Sequence, residues 1–426
     1  NIVFFSPNVD TPGGSIILFA RLAQRLLKAT EYQIKIVDFE NGYIRNLLKK
    51  ENYIFIPFTK CRKIELYAND LLICGLADLG QLDSSFRFHP TTRLFFWELG
   101  PYSLIQRNLI LGNYYKKLNL KRAKIISNLL EKKRKKQLVS FLQKATNSNG
   151  LFFMCGKNLY FNNFFFEASI IPKYLPIPII TSKYQKNYAN VSEFEKVINV
   201  AWLSRLTKGK ANVLYKLIND IRLFQKETNT YSIRLYIIGN GPEQISIKNY
   251  TDNYNMNVIY LGRIEHDKLD RFIDNHIDIG FAMGTSALEF AKAGIPSILT
   301  VGENTIKNEI KLKNNYKWIF DSENYNLSSE PYLTKRNTLL TFNELIYNLI
   351  RQKKELSLRS YNYVKDNHDF ENVFFQLKKN IELNKFTYEE LDKLRLFENS
   401  LKDKFLINYK TVKKVTKKLI KEKKTL

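Results

Sequence analysis

The stretch FAMGTSALEFAKAGIPS, residues 281–297, decides the fold of the second half of the chain. Apolar residues up to Ala282 end a buried strand, Gly284, Thr285 and Ser286 make a turn, and the following residues repeat at helical spacing. Gly294 stops that helix, and Pro296 keeps it from running on into the next strand. Strand, turn, helix, strand is the unit from which doubly wound parallel sheets are built. N–H groups at a helix start lack intrahelical acceptors and suit phosphate oxygens, so Gly284, Thr285 and Ser286 are a candidate anion site. Glu289 falls in the first turn or so, where the helix dipole favours a carboxylate, and it can accept both hydroxyls of a ribose. The competing reading is a glutamate that serves the helix alone.

The same alternation extends in both directions. Strands are predicted at 197–203, 234–238, 258–261, 277–282 and 296–301, with helices at 211–224 and 287–293. The first half opens with IVFFS at 2–6, a turn through Pro12, Gly13 and Gly14, a helix over 15–28 and a strand at 32–37. Further strands are expected at 71–74, 94–97 and 151–155. Pro172, Pro176 and Pro178 precede a polar stretch, 181–195, which reads as the interdomain linker. The expected organisation is therefore two Rossmann-like doubly wound α/β domains, 1–180 and 196–355. Helices over 356–400 are expected to pack back on them, followed by a basic amphipathic tail, 401–426.

Two more loops of the second half carry candidate chemistry. WLSRLTKGK, 202–210, closes a strand and leads into a helix, so Arg205 and Lys210 lie where parallel sheets bind ligands. A guanidinium offers paired donors and an ammonium a compact charge, a combination that grips a diphosphate. Two ordinary surface cations are the alternative. YIIGNGPE, 236–243, places Gly239 and Gly241 after a buried strand, in a tight turn whose backbone can approach a ligand. A plain turn is the commoner meaning of that pattern.

Taken in order, Arg205 and Lys210, Gly239-Asn-Gly241-Pro242, Leu261-Gly262-Arg263 and the run from Ser286 to Pro296 resemble the donor half of glycosyltransferase family 4. Pro12-Gly13-Gly14 resembles the family's N-terminal glycine loop. The resemblance implies the GT-B architecture, two Rossmann-like domains facing a cleft, and transfer of a sugar from a nucleotide-sugar without an essential metal or other cofactor. It implies that Arg205 and Lys210 hold the diphosphate, that Gly14 and Ser286 support it through backbone N–H groups, and that Glu289 holds the ribose. A hexosyl transfer with retention is the family expectation. Cations at the leaving diphosphate act more on the transition state than on the ground state.

Two positions depart from the family pattern. Glutamates separated by seven residues are usual, and the partner of Glu289 should be residue 281, which is Phe281. A histidine is usual after a first-domain strand, whereas FWELGPY, 96–102, has none. Glu98 in that stretch can act on the acceptor hydroxyl, with a solvated or strand-end carboxylate as the commoner reading. His89 reads as a surface or turn histidine.

Composition sets the remaining limits. The chain has 44% hydrophobic and 25% charged residues, an ordinary soluble balance. No apolar run reaches the length of a spanning helix, and no secretory leader is visible. Three scattered cysteines and four histidines argue for a reducing compartment and against a disulfide framework or a zinc site. The expected location is cytoplasmic, at the inner face of the cell membrane.

The net charge of +26 is the anomaly. Lys116 to Lys136 holds ten Lys/Arg and one acid, and Leu401 to Leu426 ten Lys and two acids. Clustered cations attract a polyanion, and the tail's apolar positions, Phe405, Val412, Val415 and Leu419, fit a helix lying on an anionic membrane. A solvated helix face is the bland alternative. A lipid-linked or cell-envelope glycan acceptor would account for both basic segments. The aromatics are not interleaved with the basic runs and no nucleic-acid motif appears, which disfavours nucleic acid as the partner. The readings set beside the glycosyltransferase are a non-catalytic GT-B assembly partner and a nucleic-acid-binding protein.

Overall fold

Short apolar runs, buried on both faces, form the central strands of two parallel sheets in the computed structural model. It describes residues 1–7, 14–29, 32–48, 51–59, 61–181, 197–254, 256–300, 314–328 and 339–396. The chain divides into two units, Asn1–Pro176 joined by the segment from Phe374 onward, and Ile177–Val373.

The first unit begins β1 (Ile2–Phe5), α1 (Gly14–Lys28), β2 (Ile34–Asp38), α2 (Tyr43–Leu47) and β3 (Ile54–Pro57). It continues through β4 (Ile64–Leu66), β5 (Leu71–Gly75), α3 (Leu82–Ser85), β6 (Phe86–Phe88) and β7 (Arg93–Glu98). Then come α4 (Ser103–Asn108), α5 (Gly112–Tyr115), α6 (Leu120–Leu130), α7 (Lys132–Asn147), β8 (Leu151–Phe153) and α8 (Gly156–Phe166). Its main sheet has the order β3-β2-β1-β5-β7-β8, all parallel, and β4 pairs with β6 in a separate ribbon.

The second unit runs β9 (Val197–Leu203), α9 (Lys208–Glu227), β10 (Ser232–Ile238), α10 (Gln244–Asp252), β11 (Val258–Gly262) and α11 (His266–His276). It closes with β12 (Ile279–Ala282), α12 (Thr285–Lys292), β13 (Ser297–Thr300), β14 (Tyr316–Trp318) and α13 (Phe342–His368). The order β11-β10-β9-β12-β13-β14 is parallel except for the antiparallel β13–β14 pair. Both main sheets thus follow the 3-2-1-4-5-6 order of doubly wound folds, with the reversal at β1/β5 and at β9/β12.

Three features differ from the sequence expectation. Strands β3, β4, β6 and β14 are not among the expected strands: β3 is an edge strand whose side chains are half-buried or exposed, and the other three are three residues long. The C-terminal helices start at Phe342 rather than near 356, and they divide between the units: α13 packs on the second unit's core, while α14 (Phe370–Glu382) leads back to the first. There the backbone N–H of Leu94 donates to Phe386, and α15 (Tyr388–Asp392) buries Leu391 in the first core. Most of the stretch 181–195 and all of the tail 401–426 lie outside the described residues.

Candidate functional site

Three loops leave the carboxyl ends of three adjacent strands, β10, β9 and β12, at the topological switch point of the second unit. They carry the sequence-predicted residues of that half. After β9, Ser204 and Leu206 are buried while Arg205 between them is exposed, which turns the guanidinium outward. Lys210 sits in the first turn of α9, half-buried, and burial followed by the charge of Arg205 lowers its pKa.

The glycines of the β10 loop fit against the β9 loop. Backbone N–H groups of Ser204 and Leu206 donate to Ile238 and Asn240 at 3.0 and 2.9 Å, so the two loops run on as an extension of the strand pair. A Cβ on Gly239 would stand 2.1 Å from the Ser204 carbonyl oxygen, and φ there is +127°. One on Gly241 would stand 2.4 Å from the Leu206 oxygen. Both glycines therefore fix the backbone on either side of Arg205, a structural duty that positions the cation.

The β12 loop begins α12. Gly284 adopts φ +69°, with open space where a Cβ would be, and its N–H donates to the Leu327 carbonyl at 2.7 Å. That amide is thus already engaged, and the anion-binding capacity of the turn rests with Thr285 and Ser286, whose N–H groups open the helix. Glu289 lies one turn further on, past the first turn, half-buried. Its carboxylate meets the buried Lys292 ammonium at 2.7 Å, and Lys292 also meets Asp270 of α11 at 2.9 Å. This Glu289–Lys292–Asp270 chain is absent from the sequence expectation, although a lysine three residues after a helical glutamate is its sequence signal.

Phe281, at the position where the family pattern expects an acid, is fully buried on β12. Its ring packs against Tyr316 and Phe342, with centroids 5.3 and 6.0 Å away. The side chain belongs to the core beneath α13, not to the loop, so an acid there would be a buried unpaired charge.

In the first unit, Glu98 ends β7 and is fully buried. Neither carboxyl oxygen has a hydrogen-bond partner among the described residues. Burial pushes its pKa well above the carboxylate range, an effect that the nearby Ser103 hydroxyl and Gly100 N–H offset only in part. Burial of this kind disfavours the charged form of the carboxyl, so the solvated strand-end carboxylate expected from the sequence is not what the structure shows. Gly14 opens α1 at an exposed position with nothing within 4 Å of where a Cβ would stand, whereas Gly13 lies outside the described residues. His89 is a turn histidine whose Nδ1 meets the Thr91 hydroxyl at 2.9 Å. The basic run 116–136 begins just after α5 and covers all of α6 and the start of α7. Among the described residues, no helix is long and apolar enough to cross a membrane.

No family model and no curated protein matches the chain. Solved structures do. The HepE protein of Anabaena in complex with UDP and glucose superposes with a TM-score of 0.51 at 11% identity, over 89% of this chain and 99% of that one. The apo form of WaaB, a lipopolysaccharide outer core galactosyltransferase, gives 0.53 at 12%, over 89% and 99%. The trehalose-6-phosphate synthase OtsA gives 0.53 at 12%, over 89% and 98%. At such identities the likeness speaks to architecture, and with two sheets of 3-2-1-4-5-6 order it establishes that the chain has the GT-B fold.

Proposed function

We propose that the chain is a glycosyltransferase, similar to family 4, that moves a hexosyl group from a nucleotide-sugar to an acceptor. The observation that carries this reading is that Arg205, Lys210 and the start of α12 follow two adjacent strands, β9 and β12, at the switch point of the sheet. Arg205 and Lys210 take the diphosphate, the N–H groups of Thr285 and Ser286 add donors to it, and Glu289 takes the ribose hydroxyls. As the sugar–oxygen bond breaks, negative charge builds on the leaving diphosphate, and fixed cations there lower the barrier. Removing one of them is expected to cost on the order of 3 kcal/mol in that barrier. HepE, solved with UDP and glucose, and WaaB, a galactosyltransferase, support the reading by sharing the fold. The acceptor in this reading is a lipid-linked or cell-envelope glycan at the cytoplasmic membrane face, and the transfer is metal-independent and retaining.

A second reading, a GT-B protein that binds a nucleotide and serves as an assembly partner, draws on Phe281 and Glu98 both being shut inside cores. Turnover of any nucleotide-sugar excludes it. Thermal unfolding with UDP, GDP, ADP and CDP, for the wild type and Glu289→Ala, tests the donor site directly. At 100 times its dissociation constant a ligand adds about 2.7 kcal/mol of stability. One diphosphate is expected to raise the wild-type midpoint and to act much less on the variant. No shift with any of the four would overturn the donor site.

A further inference from the structure

The α6–α7 hairpin of the first unit presents a trough of about 810 Å³ remote in sequence from every donor-site loop. Ile125 and Leu129 of α6, Val139 of α7 and Phe166 of α8 give it an apolar floor, and Lys132 and Lys136 stand at its rim. Ile125 and Leu129 are one turn apart on α6 and are 60% and 70% exposed. A neighbouring pair of large aliphatic side chains left so open to water on a helix face is a contact surface rather than a chance exposure. The cations around it are available too. Lys121, Arg122, Lys132, Lys133 and Lys136 are exposed and have no ion-pair partner among the described residues. The acid at the trough's edge, Glu167, is already paired with Lys124 at 2.9 Å.

The end of the described chain adds a second, independent feature. Leu396 is buried in the first unit's core, and the Gln137 amide of α7 donates to the carbonyl of Arg395 at 2.9 Å. The described chain thus ends beside α7, and in sequence the ten Lys and two acids of 401–426 begin five residues after Leu396. An apolar floor with a cationic rim is complementary to an anionic lipid bilayer: apolar side chains enter the acyl boundary while ammonium groups meet phosphates.

We infer that the α6–α7 face is the membrane-docking surface of the first unit, with Ile125 and Leu129 inserted and Lys132 and Lys136 on anionic headgroups. The inference rests on the membrane-facing part of the proposed function and names the surface that part requires. Co-sedimentation of the full chain with phosphatidylglycerol-rich and pure phosphatidylcholine vesicles tests it. The wild type is expected to bind the former, in a salt-sensitive way, and not the latter. Ile125→Ser with Leu129→Ser is expected to weaken binding by about tenfold or more. Lys132→Gln with Lys136→Gln is expected to weaken it by about 30-fold at low salt. All four positions are exposed, so unchanged thermal midpoints establish that the variants fold. Full binding by both double variants, with loss only on deletion of 401–426, overturns the docking face and leaves the membrane reading standing. Absence of wild-type binding to either vesicle, or a preference for duplex DNA over vesicles, overturns both.

Discussion

Lowering the pH from about 7.5 to about 5 is expected to destabilise the second unit through one side chain, His368. It is the last residue of α13 and is fully buried, with its ring against Tyr325 and Tyr363. Nδ1 lies 2.8 Å from the carbonyl oxygen of Ile177, which fixes it as the protonated nitrogen. Nε2 then carries a lone pair, and no partner lies within reach of it among the described residues. Protonation would place an N–H there with no acceptor, and burial lowers the pKa from 6.5 to about 4. Because the folded-state value is depressed, the contribution of neutral His368 is complete above the unfolded-state pKa. It is lost as pH falls from there through the folded value. Linkage gives a loss of about 2 kcal/mol by about pH 5 and about 3 kcal/mol by about pH 4. Urea unfolding followed by the fluorescence of Trp202 and Trp318, in a Trp97→Phe background, isolates the second unit. His368→Gln, which titrates nothing, is expected to lose about 2 kcal/mol less than its parent over the same pH interval. Equal losses in the two proteins would refute the argument.

Gly239→Ala is expected to lower the thermal midpoint of the second unit, because its Cβ would overlap the Ser204 carbonyl in a backbone region that costs an L-residue on the order of 1–3 kcal/mol before any clash. An unchanged midpoint would show that the two loops do not depend on one another. The Lys216–Asp220 pair of α9 is buried, and the Tyr316 hydroxyl donates to Asp220 at 2.6 Å. Lys216→Ala leaves that carboxylate uncompensated and is expected to cost about 3–5 kcal/mol in urea unfolding, whereas Lys216→Met with Asp220→Leu should cost much less. Lys292→Met removes the cation shared by Glu289 and Asp270, so nucleoside diphosphate affinity should fall by about tenfold or more and recover in Lys292→Arg, as titration calorimetry would measure.

The fold was legible because parallel strands buried on both faces read as unbroken apolar runs, as in IVFF of β1 and LLIC of β5. The elements that escaped are those without this pressure. Strand β3 is a half-exposed edge, and β14 is three residues long. The return of the chain to the first unit had no local signal at all. It is set by Phe386, which lies where a Cβ on Gly150 would come within 2.4 Å, a fit between residues more than two hundred positions apart. The candidate site divides in the same manner. Its loops are local and could be placed, whereas the use of Gly284 N–H by Leu327, the Lys292 bridge to Asp270 and the burial of Glu98 depend on neighbours that the sequence brings from elsewhere.

One topology serves twice in this chain, so topology by itself does not say which unit takes the anion. The chemistry at the strand ends does. In the second unit the carboxyl ends of β9 and β12 present an exposed guanidinium, a half-buried ammonium and a helix start. In the first unit the corresponding strands are β1, whose following loop lies mostly outside the described residues, and β5, which leads to Asp78, raised by burial to about 6; the next strand, β7, ends in Glu98, which burial also raises. Raised carboxyl pKa values mean that these acids are uncharged for more of the pH range than solvent-exposed ones, so they repel a phosphate less but attract it not at all. On the proposed reading a diphosphate finds its field in the second unit, where the cations at the switch point are. In that reading the donor role of the second unit follows from the charges its strand ends carry and not from the order of its strands.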